Sequence, residues 1–218
     1  MRTVIVTSIP PLYGIPLIFI FMVIGKLLLK EVHLFLKEVF FPLNKKHPAL
    51  TASLWIFSIF GYLIIISPPP LSIRITSILA LCFFLKISVI DAASGFLPKI
   101  LSIPFILSGL LTRAMDSLAY MHIIETLLMA ILMYFFNFFI NRKQIKIGSG
   151  DLWFVIGLTA WFGLYNSALI TLSGLTAFLF WHSTWQLSGK QEGPIGPWFC
   201  ISGSLFLLIF LYQPVWIS

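Results

Sequence analysis

Apolar residues along this chain come in long runs, and the short gaps between the runs hold most of the charge. Runs at about 11–29, 51–67, 75–92, 99–112, 120–140, 152–164, 166–182 and 197–213 each predict a helix. A bilayer crossing takes roughly 20 apolar residues, so 218 residues allow about eight crossings with short loops. The pattern therefore predicts an all-α polytopic membrane protein, folded over 1–218 as a single integral membrane domain. The turn between the sixth and seventh runs, around Tyr165-Asn166, is very short. The chain shows no internal repeat and no low-complexity segment. Only Arg2 precedes the first run and no small-residue cleavage site follows it, so the expectation is a retained helix, not a removed signal peptide.

Composition agrees with the pattern. The chain is 59% hydrophobic and 10% charged, whereas a soluble domain averages about 45–50% and about 25%. It lacks the polar surface of a water-soluble globule, which excludes a soluble enzyme, a nucleic-acid binder and a disordered tail. The net charge of +7 forms no patch for nucleic acid. The bases fall between the apolar runs, as the positive-inside rule requires. Lys26, Lys30, Lys37, Lys45, Lys46, Lys99, Arg142, Lys143, Lys146 and Lys190 share one side, and Arg2, Arg74 and Arg113 the other; Lys86 lies inside the third helix. The first set should be cytoplasmic, with both termini outside. In the loop at 30–50, Val32, Leu34, Phe35, Val39 and Phe40 alternate with Lys30, Glu31, Lys37 and Glu38. That alternation predicts a short helix lying on the lipid surface. Cys82 and Cys200 sit inside apolar runs, and His33, His47, His122 and His182 are scattered over both sides. They suggest no metal site and no disulfide framework.

Ionisable groups in or beside a spanning helix are costly and are functional candidates by default. Of the seven carboxylates, Glu31, Glu38, Asp116 and Glu192 fall in loops, and Glu125 near the outer end of the fifth helix reads as an interfacial group. Two remain. Asp91 ends the third helix, in Ile90-Asp91-Ala92-Ala93-Ser94-Gly95-Phe96-Leu97-Pro98, and Asp151 opens the sixth, in Gly148-Ser149-Gly150-Asp151-Leu152. Both lie at one depth on the cytoplasmic side. Two carboxylates can drive water onto an amide, one taking a proton from water while the other protonates the carbonyl oxygen. Each also has a purely structural explanation. Asp before an apolar helix is a common N-cap, the flanking glycines are ordinary turn residues, and Lys86 or Lys99 can neutralise Asp91.

The spacing of these groups resembles the type IV prepilin peptidases, polytopic aspartic proteases with a GxGD motif. Asp91 is followed by Pro98, Leu101, Ser102, Pro104 and Gly109 at the spacings of the first catalytic block of that family. Gly148-Ser149-Gly150-Asp151-Leu152-Trp153, then Ala160-Trp161-Phe162-Gly163, match the second, and Pro194-Ile195-Gly196-Pro197 matches a third, weaker block. The resemblance covers roughly 80–213. It implies that Asp91 and Asp151 are the catalytic pair, and that Gly95, Pro98, Gly148 and Gly150 shape the backbone around them, either to admit an extended substrate or merely to end helices. Two neighbours depart from the pattern: Lys99 stands where the family has Asp, and Trp153 where it has Lys.

The implied substrate is a prepilin or pseudopilin, with a short basic cytoplasmic leader cut after a Gly at the start of its apolar helix. The implied place is the bacterial inner membrane, with the site facing the cytoplasm. Proteolysis of this kind needs no cofactor and no metal. The family's second activity, N-methylation from S-adenosylmethionine, goes with paired CxxC cysteines in an N-terminal cytoplasmic loop. The loop at 30–50 has no cysteine, so that cofactor is expected only if methylation is retained. Partners are then the prepilin and membrane lipid, with no nucleic acid, and the sequence sets no oligomeric state. Helix dipoles favour an anion at Asp151, at a helix N-terminus, over Asp91, near a C-terminus, which assigns Asp151 as base and Asp91 as acid. A small transporter or channel would instead want carboxylates near the bilayer midplane and repeat symmetry. A non-catalytic pilus or secretion assembly factor would have no reason to keep both aspartates.

Overall fold

The computed structural model describes residues 14–38, 48–114, 119–142, 148–185 and 193–216. Among them are eight α-helices: α1 (Gly14–Glu38), α2 (Pro48–Ile66), α3 (Leu71–Ser94), α4 (Lys99–Arg113), α5 (Ala119–Ile140), α6 (Ser149–Phe162), α7 (Leu164–Trp185) and α8 (Gly196–Trp216). Each corresponds to one apolar run, and the protein is an all-α polytopic membrane protein. The helices α3, α5 and α7 (as far as Thr184) are long and apolar enough to cross a bilayer, while α2 and α8 carry shorter apolar stretches, Leu50–Ile66 and Gly196–Tyr212. The helices α4 and α6 have 15 and 14 residues. At a rise of about 1.5 Å per residue they reach roughly 21–23 Å, less than a hydrocarbon core of about 30 Å.

The chain packs as two compact units. One holds α1, α2, α3 as far as Val89 and α8 from Ser204; the other runs from Ile90 to Gly203. In the first unit α1 lies along α2, with Phe21 edge-on to Phe57 at 5.9 Å between ring centres. The helix α1 runs on to Glu38, so residues 30–38 continue a packed helix and do not form the separate surface helix that the alternation suggested; residues 39–47 lie outside the described residues. Val32 and Leu36 are buried along this extension, which explains why it stays on the helix. Lys86 pairs with Glu31 at 2.5 Å, so its partner is on α1 and is not Asp91. Arg74 donates to the carbonyls of Ile65 and Pro69 and ties off the proline-rich turn between α2 and α3.

In the second unit α6 packs against α4, α5 and α7, and every residue from Phe154 to Phe162 is buried. A helix apolar on all sides suits only such an enclosed position. Ser102, Phe105 and Gly109 form the buried face of α4. Phe105 lies against Phe154 at 5.4 Å and stacks on Trp161 at 5.8 Å, centre to centre. The Trp161 indole N–H donates to the Phe105 carbonyl at 2.9 Å. Lower down, the bare Cα of Gly109 lets the Trp161 ring and backbone come close, for a Cβ there would stand 2.7 Å from Trp161 Cδ1. The two helices thus run side by side in the same direction.

The break between α6 and α7 falls at Gly163, two residues before the Tyr165-Asn166 turn suggested by the sequence. Gly163 has φ +79° and ψ 170°, backbone that side chains other than glycine's hold only under strain. Both helix ends at this elbow are capped by charged side chains. Arg113 donates through Nε and Nη2 to the Trp161 carbonyl at 3.1 and 3.0 Å. Glu125 accepts the Leu164 N–H at 3.1 Å and lies 3.6 Å from His122 Nδ1. Glu125 is therefore a helix cap on a neighbouring helix.

Trp161→Ala removes both the stacked ring and the indole hydrogen bond. It should lower stability by roughly 3 kcal/mol or more, as large-to-small changes at buried aromatics do. Thermal unfolding of the purified protein in detergent reads this out; a transition unchanged within about 1 °C would mean that α4 and α6 are held by something else.

Candidate active site

Asp91 lies in the last turn of α3 and is 3% exposed. The helix ends just beyond it because Gly95 takes φ +63° and donates its N–H to the Asp91 carbonyl at 2.7 Å. Pro98, extended at φ −74°, ψ 134°, then precedes α4. Gly95 and Pro98 thus end one helix and open the next, the plainer of the two roles expected for them. A buried carboxyl needs hydrogen-bond donors within the protein. Asp91 finds one 105 residues away, in the Gly196 N–H, which donates to Oδ2 at 2.7 Å. Gly196 is the first residue of α8, where N–H groups have no helical acceptor of their own. The fit is close, since a Cβ on Gly196 would lie 2.8 Å from Asp91 Oδ2.

Asp151 sits in the first turn of α6, but the N-cap is Gly148, in extended conformation with no side-chain cap. Asp151 is the third residue of the helix, so the simple N-cap explanation does not apply to it. Its carboxylate turns back over the turn, and a Cβ on Gly148 would be 3.2 Å from Oδ2. Gly150 is buried and faces the loop after α3, where a Cβ would overlap the Leu97 carbonyl oxygen. That contact brings the start of α6 against the Gly95–Pro98 loop, and with it Asp151 toward Asp91. The two carboxylates are near enough for their charges to act on each other.

Three segments far apart in sequence therefore meet: the α3–α4 loop, the start of α6 and the start of α8. Sequence reasoning found both aspartates and the glycines around them. It placed Gly196 only in a weak motif, and nothing in a linear pattern says which carboxyl its amide meets. Lys99 and Trp153, the two departures from the family pattern, are both exposed. Trp153 follows Asp151 on the outer face of α6, while Lys86, the other candidate neighbour of Asp91, is engaged by Glu31. Among the described residues no three His, Cys, Asp or Glu side chains gather as a metal-binding group. Asp116 and Glu192 lie outside the described residues.

Residues 78–212 match the type IV leader peptidase family. The chain belongs to that family. The match covers all three converging segments. A prepilin leader peptidase/N-methyltransferase of Dickeya chrysanthemi is 33% identical over 141 residues, which cover 59% of this chain and 49% of that protein. The chain thus aligns with about half the length of this curated relative. No solved structure matches.

The geometry ranks the two motif glycines. Gly150→Ala forces a methyl into a backbone oxygen, which must move, whereas Gly148→Ala meets only the end of the Asp151 side chain. Overpacking a tight site costs about 1–3 kcal/mol, so Gly150→Ala should lower the unfolding temperature in detergent and Gly148→Ala should leave it nearly unchanged. Equal effects would contradict the Leu97–Gly150 contact.

Proposed function

We propose that this protein is a membrane-embedded aspartic endopeptidase of the bacterial inner membrane. It removes the short basic leader of a type IV prepilin or pseudopilin on the cytoplasmic side, cutting after a Gly at the leader–helix boundary. The observation that carries the reading is the meeting of Asp91, Asp151 and Gly196 within one compact unit. Two carboxyl groups brought to one place, one of them held by a backbone amide, are what acid–base hydrolysis of an amide requires.

The chemistry follows from the two groups. Asp151, as the anion, takes a proton from water while the water oxygen bonds to the scissile carbonyl carbon. Asp91, protonated, gives its proton to the carbonyl oxygen, so a neutral tetrahedral intermediate forms. In the second step the Asp151 proton passes to the amide nitrogen, Asp91 takes a proton from one hydroxyl, and the C–N bond breaks. The products are the leader's carboxylic acid and the mature N-terminus, and both aspartates return to their starting states. The Gly196 N–H donates to Asp91 Oδ2 and so stabilises the Asp91 anion that forms once its proton, carried on Oδ1, has passed to the carbonyl oxygen. The proposal covers proteolysis, which uses no cofactor. The N-methyltransferase activity in the name of the Dickeya relative, and with it S-adenosylmethionine, is not extended to a chain whose 30–50 segment has no cysteine.

Co-expression with a prepilin, in a host lacking other such peptidases, tests the reading by gel shift of the leader. Wild type should process the prepilin, and Asp91→Ala and Asp151→Ala, inserted at equal level, should each lose at least about a thousandfold in rate, as members of a catalytic unit do. Tyr165→Ala, at an exposed position beside the far elbow, should retain processing. Cleavage surviving either aspartate substitution would sink the paired mechanism.

A further inference from the structure

Serine and threonine hydroxyls in these helices usually bond to their own backbone. Ser58, Ser77, Ser94, Thr126, Thr171 and Ser173 each donate to the carbonyl four residues earlier. Such back-bonding is the default for a hydroxyl inside a helix. Ser102 departs from it. It is fully buried, and among the described residues its Oγ has no hydrogen-bond partner. In its place the Pro98 carbonyl takes the Leu101 N–H at 3.1 Å. A buried hydroxyl without a partner is costly and calls for a reason.

Its place supplies one. Ser102 shares the buried face of α4 with Phe105 and Gly109. Along that face Phe105 meets Phe154, and Gly109 meets Trp161. Just before the helix, the Leu97 carbonyl meets Gly150. Because α4 and α6 run in the same direction and Phe105 also lies against Gly157, Ser102 falls level with Phe154. Asp151 lies on the adjoining turn, three residues toward the start of α6. A hydroxyl offers one donor and two acceptor positions, enough to bind a water molecule beside a carboxylate.

We propose that Ser102 is a third chemical group of the site, whose hydroxyl holds the attacking water beside Asp151. The inference rests on the endopeptidase reading above. The water gives one hydrogen to Asp151 and the other to Ser102 Oγ, so its lone pair is directed at the scissile carbonyl carbon. Ser102 itself loses and gains no proton; it sets the direction of attack. No other part of the hydrolysis changes.

The test uses the full-length protein in detergent with a prepilin, comparing wild type with Ser102→Ala and Ser102→Cys, beside Asp151→Ala as the inactive control. Since the hydroxyl bonds to none of the described residues, neither variant should lower the unfolding temperature. Both should lose about tenfold or more in kcat, as removal of one preorganised hydrogen-bonding group does, with KM for the prepilin within about twofold of wild type. A kcat within about threefold of wild type in both variants would overturn the proposal. So would a raised KM at unchanged kcat, which would put the hydroxyl on the substrate, or a parallel loss of activity and unfolding temperature, which would make it a fold contact. Failure of the endopeptidase reading is distinct, because wild type itself would then leave the prepilin uncut.

Discussion

Burying Asp91 at the end of α3 commits the rest of this unit to supplying it with a partner. A carboxyl group cut off from water needs a donor, and the Gly196 N–H provides one at 2.7 Å. Because that amide opens α8, one hydrogen bond fixes where the last helix begins relative to the end of the third. The residue must be glycine, since a side chain would occupy the space of the Asp91 carboxyl. A second close approach, between Gly150 and the Leu97 carbonyl, sets the start of α6 on the same loop. Position, burial and proximity of the two aspartates all follow from these two contacts.

The rest of the unit keeps α6 where those contacts require it. A 14-residue helix buried on all sides from Phe154 to Phe162 has no polar face there to orient it, so its neighbours must do so. Phe105 and Trp161 interlock it with α4, and Arg113 and Glu125 hold its far end through backbone atoms at the elbow. Anchoring at the elbow and at the Gly150 end fixes both the rotation and the depth of α6. A side chain held by packing in this way is positioned without the reorganisation a flexible loop would need.

Much of this was legible in the sequence, and for a physical reason. Hydrophobic runs mark helices in a membrane protein because lipid offers no partner to an unpaired backbone, so eight runs became eight helices. Asp91 and Asp151 stood out because charge is scarce in such a chain and both fell at helix ends on one side. What stayed hidden depends on contacts between distant segments. Lys86 looked like a neighbour of Asp91 and instead reaches Glu31; Glu125 also caps α7; Gly196, legible only as part of a weak motif, holds Asp91. The extension of α1 to Glu38 was misread because an amphipathic stripe looks the same whether it faces lipid headgroups or a packed helix.

The central claim is that Asp91 and Asp151 share one site. It is tested most directly in native membranes by placing cysteines at both positions, with Cys82 and Cys200 replaced by Ala, and treating the protein with a short bifunctional thiol reagent. The account predicts an intramolecular bridge between positions 91 and 151, recovered as a linked peptide by mass spectrometry, and none between cysteines at 91 and 125. A protein that remains folded and inserted yet yields no 91–151 bridge would contradict it.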